Sequence, residues 1–244
     1  MTIPSGVAAI YHDSPIIAVP VSKCRDALSF SYSGDGWNVY AALIRQYQEN
    51  PSLTYENSIL KLYYERFQPQ SLSETLFVDP ADTEHPIVAG WPPLPWQTVG
   101  RIPKKNNCIF GPNTKVYERN EIPRTITVYK QLKKVGYQPS KYRDGYILGY
   151  YLKSDNGYRF IIASGHHRIA ALGILGYKWI HAKIHPKYPR VADIKKINEW
   201  PQVRRGTYSP EQASELFQVY FAANGKERAE KLGLYKPIYP KKQR

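Results

Sequence analysis

Cysteine is scarce in this chain: Cys24 and Cys108 are the only two among 244 residues. They are too few for a disulfide framework, and their separation excludes the C-x-x-C spacing used for zinc or dithiol chemistry. A reducing, cytoplasmic setting is the expectation. Long apolar runs are also missing, since no stretch approaches the roughly 18 apolar residues that a membrane-spanning helix requires. Nor does the N-terminus show a basic segment followed by an apolar one, the pattern of a secretory leader. Acidic residues are outnumbered, 20 Asp and Glu against 34 Lys and Arg, which leaves a formal charge of +14. That balance favours anionic partners, among them nucleotides, phosphorylated metabolites, nucleic acid or an anionic membrane surface, without choosing between them. Charge spread over the surface for solubility produces the same count.

A hydrophobic fraction of 42% and an aromatic fraction of 14%, with 21 Tyr, supply a buried core and exclude a wholly disordered chain. The length exceeds the usual domain size of roughly 100–150 residues, so one α/β core with additions is expected. The pattern divides into a mostly helical N-terminal extension with a Pro- and Trp-rich loop over residues 1–98, a core over 99–190, and a C-terminal helical extension with a basic tail over 191–244. Nothing in it sets an oligomeric state.

In the first part, Pro15 to Val21 reads as a short strand between prolines. Asn38 to Gln48 carries Val39, Leu43, Ile44 and Tyr47 at helical spacing. A second helix is expected from Thr54, with Tyr55, Ile59, Leu60, Leu62, Tyr63 and Phe67 as its apolar stripe. Ser71 with Glu74 signals a capping box for a third. Prolines 80, 86, 92, 93, 95, 103 and 112 then exclude regular structure over most of 79–112. Trp91 and Trp96 point to an ordered loop there, either plugging a gap between parts of the fold or offering a stacking platform for a sugar or base.

Beyond Pro112 the spacing predicts a helix over 116–135 ending at Gly136, then strands over 146–152 and 158–163 around Ser154-Asp155-Asn156-Gly157. A helix over 166–175 closed by Gly176 and a strand over 179–184 follow. In that last strand Ile180, Ala182 and Ile184 share the core face. A helical segment is expected over 191–200, and Ser209-Pro210-Glu211-Gln212 is a strong helix start.

The stretch Phe160-Ile161-Ile162-Ala163-Ser164-Gly165-His166-His167-Arg168 runs from strand through a tight turn into a helix. A helix N-terminus presents unpaired N–H groups and partial positive charge, and Gly165 allows close backbone approach, so an anion is favoured at this point. Ser164 is expected to cap the helix, and Arg168 to grip phosphate oxygens. His166 and His167 either serve such a site or fill and hydrogen-bond the turn. With His181 and His185 they could suggest zinc, but adjacent histidines diverge from one helical turn and no cysteine accompanies them. No metal ligands are therefore assigned.

Gly165-His166-His167-Arg168, Ala170-Ala171-Leu172, Leu175-Gly176-Tyr177 and Ile180 to Ile184 occur in the order of the ParB/sulfiredoxin superfamily, which this region resembles. Upstream, Glu121-x-x-Arg124 and Val128 to Pro139 are similar to that family's helix and its Gly-x-x-Pro exit, so the likeness covers about residues 100–190. The resemblance implies an α/β (α+β) core that holds a nucleotide's phosphates on Ser164, Gly165, His166, His167 and Arg168. His166 stands where a sulfiredoxin has its nucleophilic cysteine, and the Gly-Glu-x-Arg of partitioning proteins is absent, which leaves the Gly-His-His-Arg form nearest the free serine kinase-like branch. The activity implied is phosphoryl transfer from ATP, with Mg²⁺, to a small hydroxylated acceptor such as a sugar or amino acid. His166 and His167 would contact the transferring group. Ser164 replaces the acidic residue common in that branch and is no strong base, so Glu121, ahead of Glu118 and Asp144, is the candidate base. The acceptor is expected between the N-terminal helices and the Trp91–Trp96 loop. The rival expectation is a nucleotide-gated DNA-binding protein of ParB type.

Overall fold

The computed structural model of the chain describes residues 3–85, 87, 89–99 and 106–235. The basic tail over 236–244, together with Pro86 and Pro103, lies outside the described residues. A short α1 (Ala8–Tyr11) leads into β1 (Ile16–Pro20) and β2 (Cys24–Arg25), followed by α2 (Val39–Glu49), α3 (Ile59–Arg66) and α4 (Leu72–Leu76). Next come α5 (Lys115–Val135), β3 (Ile147–Ser154), β4 (Gly157–Ser164), α6 (His166–Ile174) and β5 (Trp179–Ile184). The order closes with β6 (Val191–Asp193), α7 (Pro201–Arg204), α8 (Pro210–Ala222) and α9 (Lys226–Lys231). Among the described residues no helix is long and apolar enough to cross a membrane.

The helices begin where side chains can satisfy their first amides. Asn38 accepts from the N–H groups of Tyr40 and Ala41, Ser58 from Lys61, Ser71 from Glu74 and Thr114 from Tyr117. At α8, Ser209 and Gln212 complete a reciprocal capping box behind Pro210. Two expected helices are corrected by competing local bonds. The helix expected from Thr54 starts at Ile59, because the Thr54 amide and hydroxyl both bond the Asn57 side chain and hold residues 54–57 in a turn. The segment expected to be helical over 191–200 is β6 followed by a 3₁₀ stretch, Ile194–Glu199. There β5 pairs with β3 only over Ile147–Gly149, and the open edge at Tyr151–Lys153 takes up Val191–Asp193 in parallel.

The fold is α/β, built on a mixed six-stranded sheet in the order β1-β5-β3-β4-β2, with β6 beside β3. β3 and β4 form a hairpin in which Ser154 pairs with Gly157 across Asp155-Asn156. β5 and β2 run parallel to β3 and β4 respectively, and β1 is antiparallel to β5. Residues 16–25 thus contribute two strands to the sheet. The segment 1–98 is woven into the core rather than added to it.

Alternation along the strands sends residues to two faces. Ile147, Tyr151, Phe160, Ile162, Ile180 and Ala182 face the layer of α2, α3, α5 and α6. Tyr150, Leu152 and Ile161 face a second core with Trp96, Trp200, Leu216, Phe217 and Tyr220. Trp96 is the plug of that second core. Its ring meets those of Trp200, Phe217 and Tyr220 edge-on at 5.4, 5.7 and 5.7 Å, and its indole N–H donates to the Tyr150 hydroxyl at 3.2 Å. Trp91 is only partly buried and stacks on Phe110 with centroids 5.3 Å apart. Trp96→Ala is therefore expected to lower unfolding free energy by about 3–5 kcal/mol, as for other buried aromatics. Trp91→Ala should cost clearly less, and urea denaturation of both variants measures the difference.

Candidate functional site

β4 ends at Ser164 and α6 starts at His166, with Gly165 between them at φ 96°. A Cβ at Gly165 would stand 3.0 Å from Ile147 and 3.1 Å from the Arg168 guanidinium, so both the left-handed backbone and the packing call for glycine. Ser164 does not cap α6. It closes β4 opposite Leu148, Gly165 holds the N-cap position, and no side chain caps the helix. The first intrahelical bond runs from the Ile169 amide to the Gly165 carbonyl at 3.0 Å, so the amides of His167 and Arg168 precede the intrahelical ladder.

The two histidines leave this turn in different directions. His167 is buried between α5 and α2: Nδ1 lies 3.0 Å from the Thr125 hydroxyl, Nε2 3.3 Å from Glu121 Oε2, and the ring packs on Tyr40 at 4.4 Å. Thr125 donates its one proton to the Glu121 carbonyl at 2.6 Å, and a carboxylate only accepts. The Thr125 oxygen thus faces Nδ1 as an acceptor, and Nε2 lies against the Glu121 carboxyl. His166 points the other way, with Nδ1 2.8 Å from the Tyr32 hydroxyl.

Glu121, the expected base, is 2% exposed. Besides His167, it accepts from the Tyr40 hydroxyl at 2.7 Å and from Arg124 at 3.2 Å. Burial alone would raise its carboxyl, but bonding to and charge on His167, the Tyr40 hydroxyl and Arg124 outweigh this and hold it below the usual 4.5. This fixed anion sits behind His167 because that face of α5 packs against α6, and it faces no open space. The structure places it behind His167 and not among the cavity's described lining residues. Glu118 is likewise buried, accepting from the Tyr55 hydroxyl and from Lys115. Asp144 is exposed. Arg168 donates from Nη1 to the Asp144 and Gly145 carbonyls at 2.5 Å each, which ties α6 to the loop before β3. Its Nη1, one of the groups expected on phosphate oxygens, is thus engaged by the main chain.

A cavity of about 600 Å³ opens on this turn. That volume is within the range of small-molecule sites, roughly 300–1,000 Å³. Ala163 and His166 form one end, Tyr150 and Ile161 the floor, and Trp91 and Phe110 a wall. Tyr188 stacks on Tyr150 with centroids 4.9 Å apart. Gln97, Asn106, Asn107 and Tyr117 add neutral polar groups, and none of the described lining residues is Asp, Glu, Lys or Arg. Behind His166 lies a space of about 10 Å³ bordered by Asp26, Tyr32, Tyr40, Tyr63 and Cys108, the size of one water. Of the residues expected at the site, His166 alone borders it among the described lining residues; Ser164, Gly165, His167, Arg168 and Glu121 do not. Tyr32, Phe110, Tyr150 and Tyr188 carried no sequence signal, since nothing local links four aromatics on separate segments. Among the described residues no three His, Cys, Asp or Glu side chains are grouped to hold a metal ion.

No protein-family model matches the chain, and no curated protein or solved structure matches it.

Glu121→Gln is expected to reduce stability at neutral pH by about 3–5 kcal/mol, the cost of breaking a buried charge pair. A carboxyl held below its unfolded value stabilises fully above that value, and the contribution is lost as pH falls through the folded one. The wild-type protein should therefore begin to lose its advantage over the variant as pH falls below about 4.5, the ordinary value for the group, and urea midpoints at pH 7 and pH 3 would show a smaller difference at the lower pH. Gly173→Ala tests the seating of α6. Helix propensity alone would make it stabilising by about 1 kcal/mol, yet the added Cβ would lie 2.2 Å from the Tyr32 carbonyl oxygen. A lowered midpoint is the expected result.

Proposed function

We propose that this chain is a nucleotide-binding protein of ParB/sulfiredoxin type that transfers a phosphoryl group from ATP to a small hydroxylated acceptor, a sugar or an amino acid. The observation that carries this is the cavity of about 600 Å³ bordered by His166, the first residue of α6. The Gly-x-x-Arg turn supports it too, since Gly165 adopts the left-handed backbone that brings N–H groups close to a phosphate. Bound there, the nucleotide supplies the transferable phosphoryl group and its own leaving group.

The remaining roles belong to the chain. First-turn amides of α6, aided by the helix dipole, hold phosphate oxygens. His166, oriented through Nδ1 by Tyr32, takes the proton of the acceptor hydroxyl as the new O–P bond forms. Aromatic walls limit access of water, which would otherwise compete as acceptor. His167, anchored by Glu121 and Thr125, fixes the angle of the turn, and Arg168 braces the loop before β3. Mg²⁺ would come with the nucleotide, held largely by its phosphate oxygens and water.

Calorimetric titration with ATP, ADP and CTP, each with Mg²⁺, tests the proposal. ATP and ADP should bind. His166→Ala should keep that binding within a few-fold while lowering transfer by about 10²–10⁴, the range for loss of a general base. Absence of ATP binding would overturn the proposal. The +14 charge favours a second function, nucleotide-gated DNA binding. CTP preference with duplex affinity that falls steeply with salt would support that one instead.

A further inference from the structure

The cavity's walls bear on which acceptor it takes. Two pairs of stacked rings, Trp91 with Phe110 and Tyr150 with Tyr188, lie on separate segments and all four border the same space. Tyr150 and Phe110 are buried and back the partly exposed rings of Tyr188 and Trp91, and the Trp96 indole N–H on the Tyr150 hydroxyl fixes the first of these stacks before any ligand arrives. Around these faces stand Gln97, Asn106 and the phenols of Tyr117 and Tyr188, which donate and accept hydrogen bonds without bringing formal charge.

We infer that the cavity binds a neutral ring-shaped polyol, a pyranose or furanose sugar, in preference to an amino acid. The C–H faces of a sugar ring pack flat on aromatic rings, while its hydroxyls project edgewise toward amides and phenols. An amino acid offers no such face, and it carries an ammonium and a carboxylate that the described lining residues meet with no Asp, Glu, Lys or Arg. A sugar lying on these rings with a hydroxyl toward His166 also fills the acceptor position of the phosphotransfer proposal. Only the direction of transfer rests on that proposal; sugar binding does not.

The test is saturation-transfer NMR and tryptophan fluorescence on the full chain, without nucleotide, using a panel of methyl glucoside, methyl galactoside, methyl riboside and myo-inositol against L-serine and L-threonine. At least one glycoside should bind, and its affinity should fall ten-fold or more in Trp91→Ala and in Tyr188→Leu, each checked for folding by circular dichroism. If a glycoside binds and ATP does not, the sugar site stands and phosphotransfer fails; if only ATP binds, the reverse holds. Binding of serine or threonine in preference to every neutral probe, no binding of any neutral probe, or glycoside binding unchanged in both variants would overturn the inference.

Discussion

The buried contact between Glu121 on α5 and His167 on α6 fixes the candidate site. A buried carboxylate is tolerated only when its oxygens are occupied, and here Tyr40, His167 and Arg124 occupy them. Because His167 is drawn inward, the preceding residue on the helix is turned to another side, and His166 meets Tyr32 and the cavity. One buried contact thereby determines which of two adjacent histidines borders the cavity. The close approach of Gly173 to the Tyr32 carbonyl sets the same helix against the segment that carries the Tyr32 hydroxyl.

Charge and cavity are separated in this molecule. The chain carries +14, yet no Lys or Arg is among the described lining residues of the cavity. Arg168 lies against the turn without lining the cavity, since two backbone carbonyls before β3 bind its guanidinium. Any attraction for an anion at the turn then comes from main-chain amides and the dipole of α6. Those groups act over short range and at fixed angles, and they leave the adjoining aromatic surface for a ligand's neutral part.

Legibility from sequence follows how local the deciding forces are. The strand over 179–184 matches the observed β5, because alternation with Ile180 and Ala182 inward is written in the strand itself. The starts of α4 and α8 follow from Ser71 and Ser209, whose bonds reach only three residues ahead. Where the deciding partner lay elsewhere in the fold, pattern failed. The stretch over 191–193 pairs with an edge of β3 that β5 leaves open, and the two tryptophans of one loop part ways, Trp96 into the second core and Trp91 onto Phe110.

The α/β class, the hairpin, the glycine turn and the presence of two histidines and an arginine after it were determined by the sequence alone. Each rests on periodicity, turn chemistry or identity within a few residues. Only the tertiary structure decided the roles. It placed Glu121 behind His167, gave Arg168 two backbone carbonyls, left α6 uncapped by Ser164, and gathered Trp91, Phe110, Tyr150 and Tyr188 around His166. A side chain's job depends on which partners occupy its donors and acceptors. Those partners lie tens of residues away in the chain, where no local pattern can register them.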